Sequence, residues 1–582
     1  MITIRPKTTI SLVLAALSLV PSTFANNKKL DKALRGAKGS DNVDIIIQYN
    51  SKPSDLKTAK LAAKGGSEKQ RLESIKGSAA SLPKDKLLEL SDDPDVKHIS
   101  LDRSVQGSLD TGAAAVTAQY AWGLGYDGQG IGVAVIDSGI HLVDDLKAAD
   151  GKARIKYQAD FIGGGPDDMY GHGTHVAGII AGNGKYSSCK DCSLTIKGLA
   201  PNVNIINLKA LDKNGQGTDS SVIAAINAAI QLKDTYNIRV MNLSLGRAVT
   251  ESYTDDPLCQ AVEAAWKAGI VVVVAAGNDG RYQPTNGYGT INAPGNDPYV
   301  ITVGAMNTQG TPSRGDDITA SYSSKGPTAI DHIVKPDLVA PGNQIVSLQA
   351  GQLKAVFPSN RVRKSYYQKV KNLNDYSNEY FTLSGTSMAA PMVSAAAALL
   401  LEQNPSLTPD QVKARLMKTA YKTFPTTSSV KDGGVTYVSQ YDVFTVGAGY
   451  LDIQSALMDD EVAAAPSKSP AVAFDPESEN VYFVHDDSAL WGSSVMWSAA
   501  SVWGSNVFVG SDSALWGHSA LWGHSVMWSA GSPWSSSALW GSSALWGSSG
   551  TDAFSALWGR SALWGASSTA TDSLSIAAKG DQ

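Results

Sequence analysis

The sequence predicts an α/β fold: a large three-layer domain around a mostly parallel sheet, with a small α+β module before it and a low-charge repeat region after it. Three observations lead there. Between residues 119 and 458, short β-branched runs that are almost continuously apolar alternate with helical segments, as strands buried on both faces of a parallel sheet do. At 582 residues the chain exceeds one ordinary domain of roughly 100–200 residues. Composition is uneven: of the 13 tryptophans, all but Trp122 and Trp266 fall between Trp491 and Trp564. Hydrophobic residues at 43% and charged residues at 18% exclude a wholly disordered or collagen-like chain. A net charge of −5 leaves no broad basic field for nucleic acid.

Residues 1–25 carry Arg5 and Lys7, an apolar run from Ile10 to Val20, and Ala25 as a small residue before a cleavage point. That is the pattern of an export signal, too short for the roughly 20 apolar residues of a membrane span. The chain is therefore expected to be secreted, either free or held at the cell surface. Residues 26–110 form the small module: a strand at 43–49, a helix-like span at 57–76 interrupted by Gly65 and Gly66, a strand at 78–82, a helix at 83–91 opened by Pro83, and a strand at 96–101. The large domain is set at 111–458. Its strands are expected at 131–136, 203–208, 240–245, 270–276 and 299–303, with helices at 220–233, 258–268 and 389–403. Residues 459–487, acidic and Pro-containing, read as a linker. From 488 to 568 the unit Ser-Ala-Leu-Trp-Gly-Ser recurs with a six-residue period, and 569–582 is a polar tail.

Polar motifs sit where predicted elements end. Val133-Ala-Val-Ile-Asp137-Ser-Gly139 puts a carboxylate at the carboxyl end of a buried strand, where open α/β sheets build their sites. Gly171-His172-Gly-Thr-His175-Val-Ala-Gly178 puts an imidazole at the start of an apolar helix. Ser384-Gly-Thr-Ser387-Met-Ala-Ala-Pro391 puts a hydroxyl just ahead of another. A hydroxyl becomes a useful nucleophile when a base takes its proton and a carboxylate orients that base. Val272-Val-Val-Ala275-Ala276-Gly277-Asn278 ends a strand on an amide.

In the order Asp, His, Ser these motifs resemble the subtilisin-like serine proteases, or subtilases. The resemblance spans about three-fifths of the chain and implies a three-layer subtilisin-like domain. It implies that Asp137 orients, His172 acts as general base, Ser387 is the nucleophile and Asn278 supplies the oxyanion-hole side chain. It further implies that Asn242-Leu-Ser244-Leu245-Gly246 pairs with an extended substrate, and that Ala275, Ala276 and Gly277 wall the main side-chain pocket. With no acid evident there, apolar or aromatic side chains are expected before the cut. His175, one helical turn past His172, reads as structural.

By the same resemblance the 26–110 module is a ferredoxin-like propeptide, a folding assistant and inhibitor removed by self-cleavage within 104–116. The expected function is a secreted serine endopeptidase acting on polypeptides, autoactivated by propeptide removal, with no cofactor for catalysis. The alternative is an inert protease-like binding or adhesion protein that displays the Trp repeats. Subtilases often hold structural Ca²⁺, but Asp212-Lys-Asn214-Gly-Gln216-Gly217 lacks the acidic residue a calcium loop needs at its end, and no ligand set is placed. Cys189 and Cys192 suit a tight disulfide in an exported protein, leaving Cys259 as a buried free thiol. The basic, Tyr-rich stretch 352–380 reads as a surface insertion. For the hexads, three readings stand: short stacked strands, an adhesive surface for cell surface, carbohydrate or another protein, and a flexible Ser/Gly-rich tail. Stacking is preferred because an even period preserves strand alternation.

Overall fold

The computed structural model describes residues 29–30, 34–35, 39–101, 109–463, 466–475, 480–484, 576 and 579–581. They fall into two units, Met1–Val105 and Gln106–Gln582. The leader 1–25 and the hexads 488–568 lie outside the described residues, as do residues 104–108 of the expected self-cleavage stretch.

The first unit contains β1 (Asn42–Tyr49), α1 (Asp55–Ala62), β2 (Ser67–Leu72), β3 (Gly77–Pro83), α2 (Leu87–Ser91) and β4 (Val96–Leu101). The four strands form one antiparallel sheet in the order β2-β3-β1-β4. Alternation on β1 and β3 puts Ile45, Ile47, Tyr49, Ala80 and Leu82 into a core with Leu61, Leu87, Leu90 and Ile99. The helix expected across 57–76 is instead a helix and a strand. α1 stops at Ala62, Gly65 takes φ +77°, and Ser67–Leu72 joins the sheet. β2 is an edge strand with five polar residues in six and none fully buried, so no apolar alternation marks it.

The second unit opens with α3 (Leu109–Ala115) and α4 (Ala118–Gly123). Its sheet comprises β5 (Gly132–Asp137), β6 (Ile155–Asp160), β7 (Asn204–Lys209), β8 (Ile238–Leu243), β9 (Val271–Ala275), β10 (Ile301–Asn307), β11 (Ile318–Thr319) and β12 (Leu338–Pro341). The order is β11-β10-β9-β8-β5-β7-β6, with β12 also pairing β10; only β11 runs antiparallel. β5 lies between β7 and β8, so the chain turns to one side of it and then to the other. Its carboxyl end is a topological switch point, where α/β sheets open a crevice.

Helices α5 (His172–Ala181), α6 (Asp219–Tyr236) and α7 (Pro257–Lys267) connect these strands. Thr218 and Ser221 cap α6 reciprocally, while Asp256 accepts from Leu258 N at 2.9 Å ahead of Pro257 to open α7. The chain continues through β13 (Ile345–Leu348), α8 (Leu353–Val356), β14 (Arg361–Arg363) and β15 (Tyr376–Leu383), whose strands form a small antiparallel sheet in the order β13-β15-β14. α9 (Thr386–Gln403) is apolar all round and packs across β8, β9 and β10, beside α5. Then come α10 (Pro409–Thr419), the hairpin β16 (Thr427–Asp432) and β17 (Val435–Gln440), α11 (Val443–Val446), α12 (Ile453–Met458), and the pair β18 (Ala471–Asp475) and β19 (Asn480–Val484). No helix among the described residues is long and apolar enough to cross a membrane.

Two boundaries differ from the sequence expectation. The stretch read as a linker, 459–487, is folded over much of its described length. Ser467 N donates to Asp410 at 2.7 Å, Val472 is buried, and Ser469 Oγ donates to the fully buried Asp337. Asp337 also pairs with the buried Lys335 at 2.7 Å and Lys413 at 3.2 Å. The Ser469 hydroxyl completes the satisfaction of this buried cluster, a role that Ser-Lys-Ser composition does not advertise. Likewise the tail 569–582 is not simply polar: Ile576 and Asp581 are buried against the second unit.

Cys189 and Cys192 form a disulfide with Cα atoms 4.9 Å apart. Cys259 is buried, and burial pushes its thiol pKa far up.

Candidate active site

Asp137 is the last residue of β5, and its carboxylate, 1% exposed, faces the start of α5. His172 Nδ1 lies 2.8 Å from Asp137 Oδ1 and 3.0 Å from Oδ2. The close approach of strand and helix requires Gly173, because a Cβ there would collide with the Gly139 carbonyl. Burial of the imidazole works against its charged form. The charge of Asp137, its hydrogen bond and the nearby Asp168 outweigh that, so the His172 pKa lies above 6.5.

Asp168 was not singled out from the sequence, yet it organises this corner. Its carboxylate accepts from Gly171 N at 2.6 Å, Thr174 N at 2.8 Å, Thr174 Oγ1 at 2.7 Å and Ser138 Oγ at 2.9 Å. These bonds fasten the first turn of α5, which carries His172, to the residue after Asp137. The available signal was an acidic residue just ahead of an apolar helix. His175 points elsewhere. Its Nε2 meets the carbonyls of Ile345 at 3.1 Å and Phe381 at 3.2 Å, and burial lowers its pKa to about 3, so the ring is neutral and structural.

Ser387 occupies the first turn of α9. Pro391, four residues on, has no N–H for the Ser387 carbonyl, so that carbonyl needs another donor. Ser244 Oγ supplies it at 2.8 Å. Asn242 Nδ2 donates to Ser244 Oγ at 2.9 Å, and Ser394 Oγ donates to Asn242 Oδ1 at 2.8 Å. The Ser244 side chain is thus buried in a support for the α9 terminus. Its carbonyl accepts the Ser387 hydroxyl at 3.2 Å.

Asn278 follows β9 at the same crevice. Its Oδ1 accepts from Thr386 N at 2.9 Å and Thr386 Oγ1 at 3.1 Å, which leaves Nδ2 as the free end of the amide. His172, Asn278 and Ser387 line one cleft of about 660 Å³, with Ser244, Leu245 and Gly246 along it. Ala275, Ala276 and Gly277 are buried and do not line that cleft. Asn292 stands between them and Gly246: a Cβ on Gly277 would fall 2.7 Å from Asn292 Nδ2, and one on Gly246 would fall 3.1 Å from Asn292 Cβ. Asn292 in turn donates to Asp279 Oδ2 at 3.3 Å, so an acid and an amide lie where only small walls were expected.

Asp212 also lies by the cleft's loop, but its carboxylate is taken by the backbone N–H groups of Asn214 at 2.8 Å and Gln216 at 2.9 Å. Among the described residues no cluster of three or more His, Cys, Asp or Glu side chains is arranged to hold a metal ion. The basic stretch before Ser387 packs through its aromatics: Tyr367 and Tyr380 are buried, and Arg361 stacks 4.6 Å from the Tyr376 ring centre.

Such an arrangement equips a hydroxyl at a helix N-terminus with a carboxylate-oriented imidazole and an amide donor, the set needed for acyl transfer. A sequence model of the subtilase family matches residues 128–448. The chain is 40% identical over 336 residues to Serine protease AprX of Bacillus subtilis (strain 168), covering 56% of this chain and 70% of that protein. It is 29% identical over 455 residues to Subtilisin E of the same organism, covering 77% and 98%. A solved structure described as a cold adapted subtilisin-like serine proteinase is 30% identical, covers 51% of this chain and 85% of its own, and gives a TM-score of 0.36.

Proposed function

The chain belongs to the subtilase family and is a subtilisin-like serine endopeptidase, and on that premise we propose that Ser387, His172, Asp137 and Asn278 carry its chemistry on polypeptide substrates after the enzyme is exported. The observation that supports this most is the two-oxygen contact of Asp137 with His172 Nδ1 at 2.8 and 3.0 Å, in the cleft that Ser387 and Asn278 also line.

Asp137 takes the hydrogen bond from Nδ1–H and so leaves the lone pair on Nε2. The Ser387 hydroxyl turns from the Ser244 carbonyl toward Nε2, gives up its proton, and its Oγ bonds to the scissile carbonyl carbon. Negative charge moves to the carbonyl oxygen, where Asn278 Nδ2 and the unpaired N–H of Ser387 at the start of α9 receive it. Collapse breaks the C–N bond as the imidazolium returns the proton to the leaving amine. Water then repeats the sequence on the acyl-enzyme. The 244–246 backbone, which leaves the sheet after β8, pairs with an extended substrate. The Asn292 amide beside Gly246, with Asp279 bonded to it, tempers the apolar preference expected from small walls. No step uses a metal ion.

The 26–110 module acts as propeptide and inhibitor, and the protein matures by cutting itself after export. The β-α-β-β-α-β succession of the first unit and its own closed core support a separately folding module. The test is maturation of the full chain beside its Ser387→Ala variant. Wild type is expected to lose about 100 residues from the N-terminal side, and the variant to stay whole unless wild-type enzyme is added. Processing of the purified variant by itself would overturn the proposal.

A further inference from the structure

Asp581 is buried to 2% exposure and met on every polar atom. Ser321 N donates to Oδ2 at 2.7 Å, while the Ser321 hydroxyl and Arg281 Nη2, the latter at 2.9 Å, donate to Oδ1. The backbone is bound as well. Asp581 N–H donates to Asn343 Oδ1 at 2.8 Å, and its carbonyl accepts from Asn343 Nδ2 at 3.0 Å and Gln344 Nε2 at 3.2 Å. Gly580 sits at φ +60°, and a Cβ there would collide with Asn343 Oδ1 and Ser384 Oγ. Ile576 adds an apolar contact, 5% exposed within the main core. Side chain, backbone and the absence of a Cβ are all selected, which a chance surface contact does not achieve.

The receiving residues are themselves held in place. Arg281 Nη1 pairs with Asp432 at 2.7 Å, its Nε donates to Ser321 Oγ at 2.8 Å, and its guanidinium lies 5.0 Å from the Tyr437 ring centre. Gln344 N donates to Ser384 Oγ at 2.9 Å, and Gly385 N to the Gly342 carbonyl at 2.9 Å. Ser384 and Gly385 belong to the loop that delivers Ser387.

We propose that Arg281, Ser321, Asn343, Gln344 and Ser384 form a docking site for this chain's own Gly580–Asp581 segment, so that the Trp hexads are tied to the protease unit at both ends. At the other end Ser467, Ser469 and Val472 are built into the same unit. A cut inside the hexads therefore leaves the distal piece bound. Ser- and Gly-rich segments are preferred sites of nicking, and here the nick does not release what lies beyond it.

The test uses the full chain carrying Ser387→Ala, with a recognition sequence for an unrelated site-specific protease inserted after residue 568. After cutting, gel filtration without denaturant is expected to carry the fragment containing residues 576–581 with the body in a monomer-sized peak. Asp581→Ala is expected to weaken retention by about 10- to 100-fold, because it removes charge-assisted bonds to buried donors. Asp581→Asn is expected to fall between, since its amide oxygen still accepts from Ser321 N–H but forms no ion pair. Arg281→Ala, with folding of the body checked by its melting curve, repeats the loss from the receiving side. Free elution of the wild-type fragment, or retention indifferent to Asp581→Ala, overturns the proposal. A dimer-sized peak also overturns it, because the site would then hold another copy's segment.

Discussion

Replacing Asp168 by alanine removes the acceptor that seats His172. Five donors lose their partner: the backbone N–H groups of Tyr170, Gly171 and Thr174, and the hydroxyls of Thr174 and Ser138. Hydroxyls can rotate to other acceptors, whereas the N–H groups are fixed by the α5 backbone. At about 1–3 kcal/mol for each buried unsatisfied group, the two fully buried amides, of Gly171 and Thr174, account for roughly 2–6 kcal/mol. Part is recovered, because burial disfavours the Asp168 carboxylate enough to raise its pKa despite these bonds. The expected net loss is about 2–4 kcal/mol. Stability is to be read from urea midpoints in the Ser387→Ala background, where self-digestion cannot distort the curve. In the active background, kcat on a peptide anilide is expected to fall by about 10²-fold, the usual order for a misplacement near 1 Å, with KM little changed. Asp168→Asn keeps one acceptor oxygen and should lose less of both. A wild-type midpoint and kcat for Asp168→Ala would refute the view that this carboxylate holds the first turn of α5 in place.

Other outcomes follow from the same geometry. Protonated His172 cannot accept the Ser387 proton, so kcat/KM should be lost as pH falls through a pKa above 6.5. In Asp137→Asn the supporting charge is gone and burial remains, so the limb should shift to lower pH while the plateau drops about 10⁴-fold; pH–rate profiles of both forms check this. Asn278→Ala should lower kcat by about 10²–10³-fold with KM nearly unchanged, as measured by steady-state kinetics. A chain ending after residue 458 should melt below one ending after residue 484. It loses the Ser469 donor to buried Asp337, about 1–3 kcal/mol, and the burial of Val472, about 1.5–3 kcal/mol.

What could be read in advance was whatever one chain segment encodes locally. Buried parallel strands are continuous apolar runs, so β5, β7, β8 and β9 were visible, and the motifs at their carboxyl ends marked Asp137 and Asn278. His172 and Ser387 stood out because each opens an apolar helix. What escaped depends on partners distant in sequence. Asp168 and Ser138 matter because two elements converge; Ser244 matters because Pro391, nearly 150 residues later, orphans a carbonyl. Asn292 reaches Gly246 and Gly277 from a loop without any periodic signature. β2 was hidden for a different reason: an edge strand that buries no side chain fully has a polar sequence that also suits a helix. The Ser469 and Asp581 anchors looked like linker and tail because polar residues that satisfy buried charge share the composition of residues that face water.

The most direct test of the catalytic assignment is labelling of the mature enzyme with a fluorophosphonate, followed by peptide mass mapping. The account predicts a single adduct on Ser387, matched mole for mole by loss of peptide hydrolysis, and no adduct in Ser387→Ala. An enzyme that hydrolyses peptides yet is labelled elsewhere, or keeps its activity when Ser387 is fully modified, would contradict it.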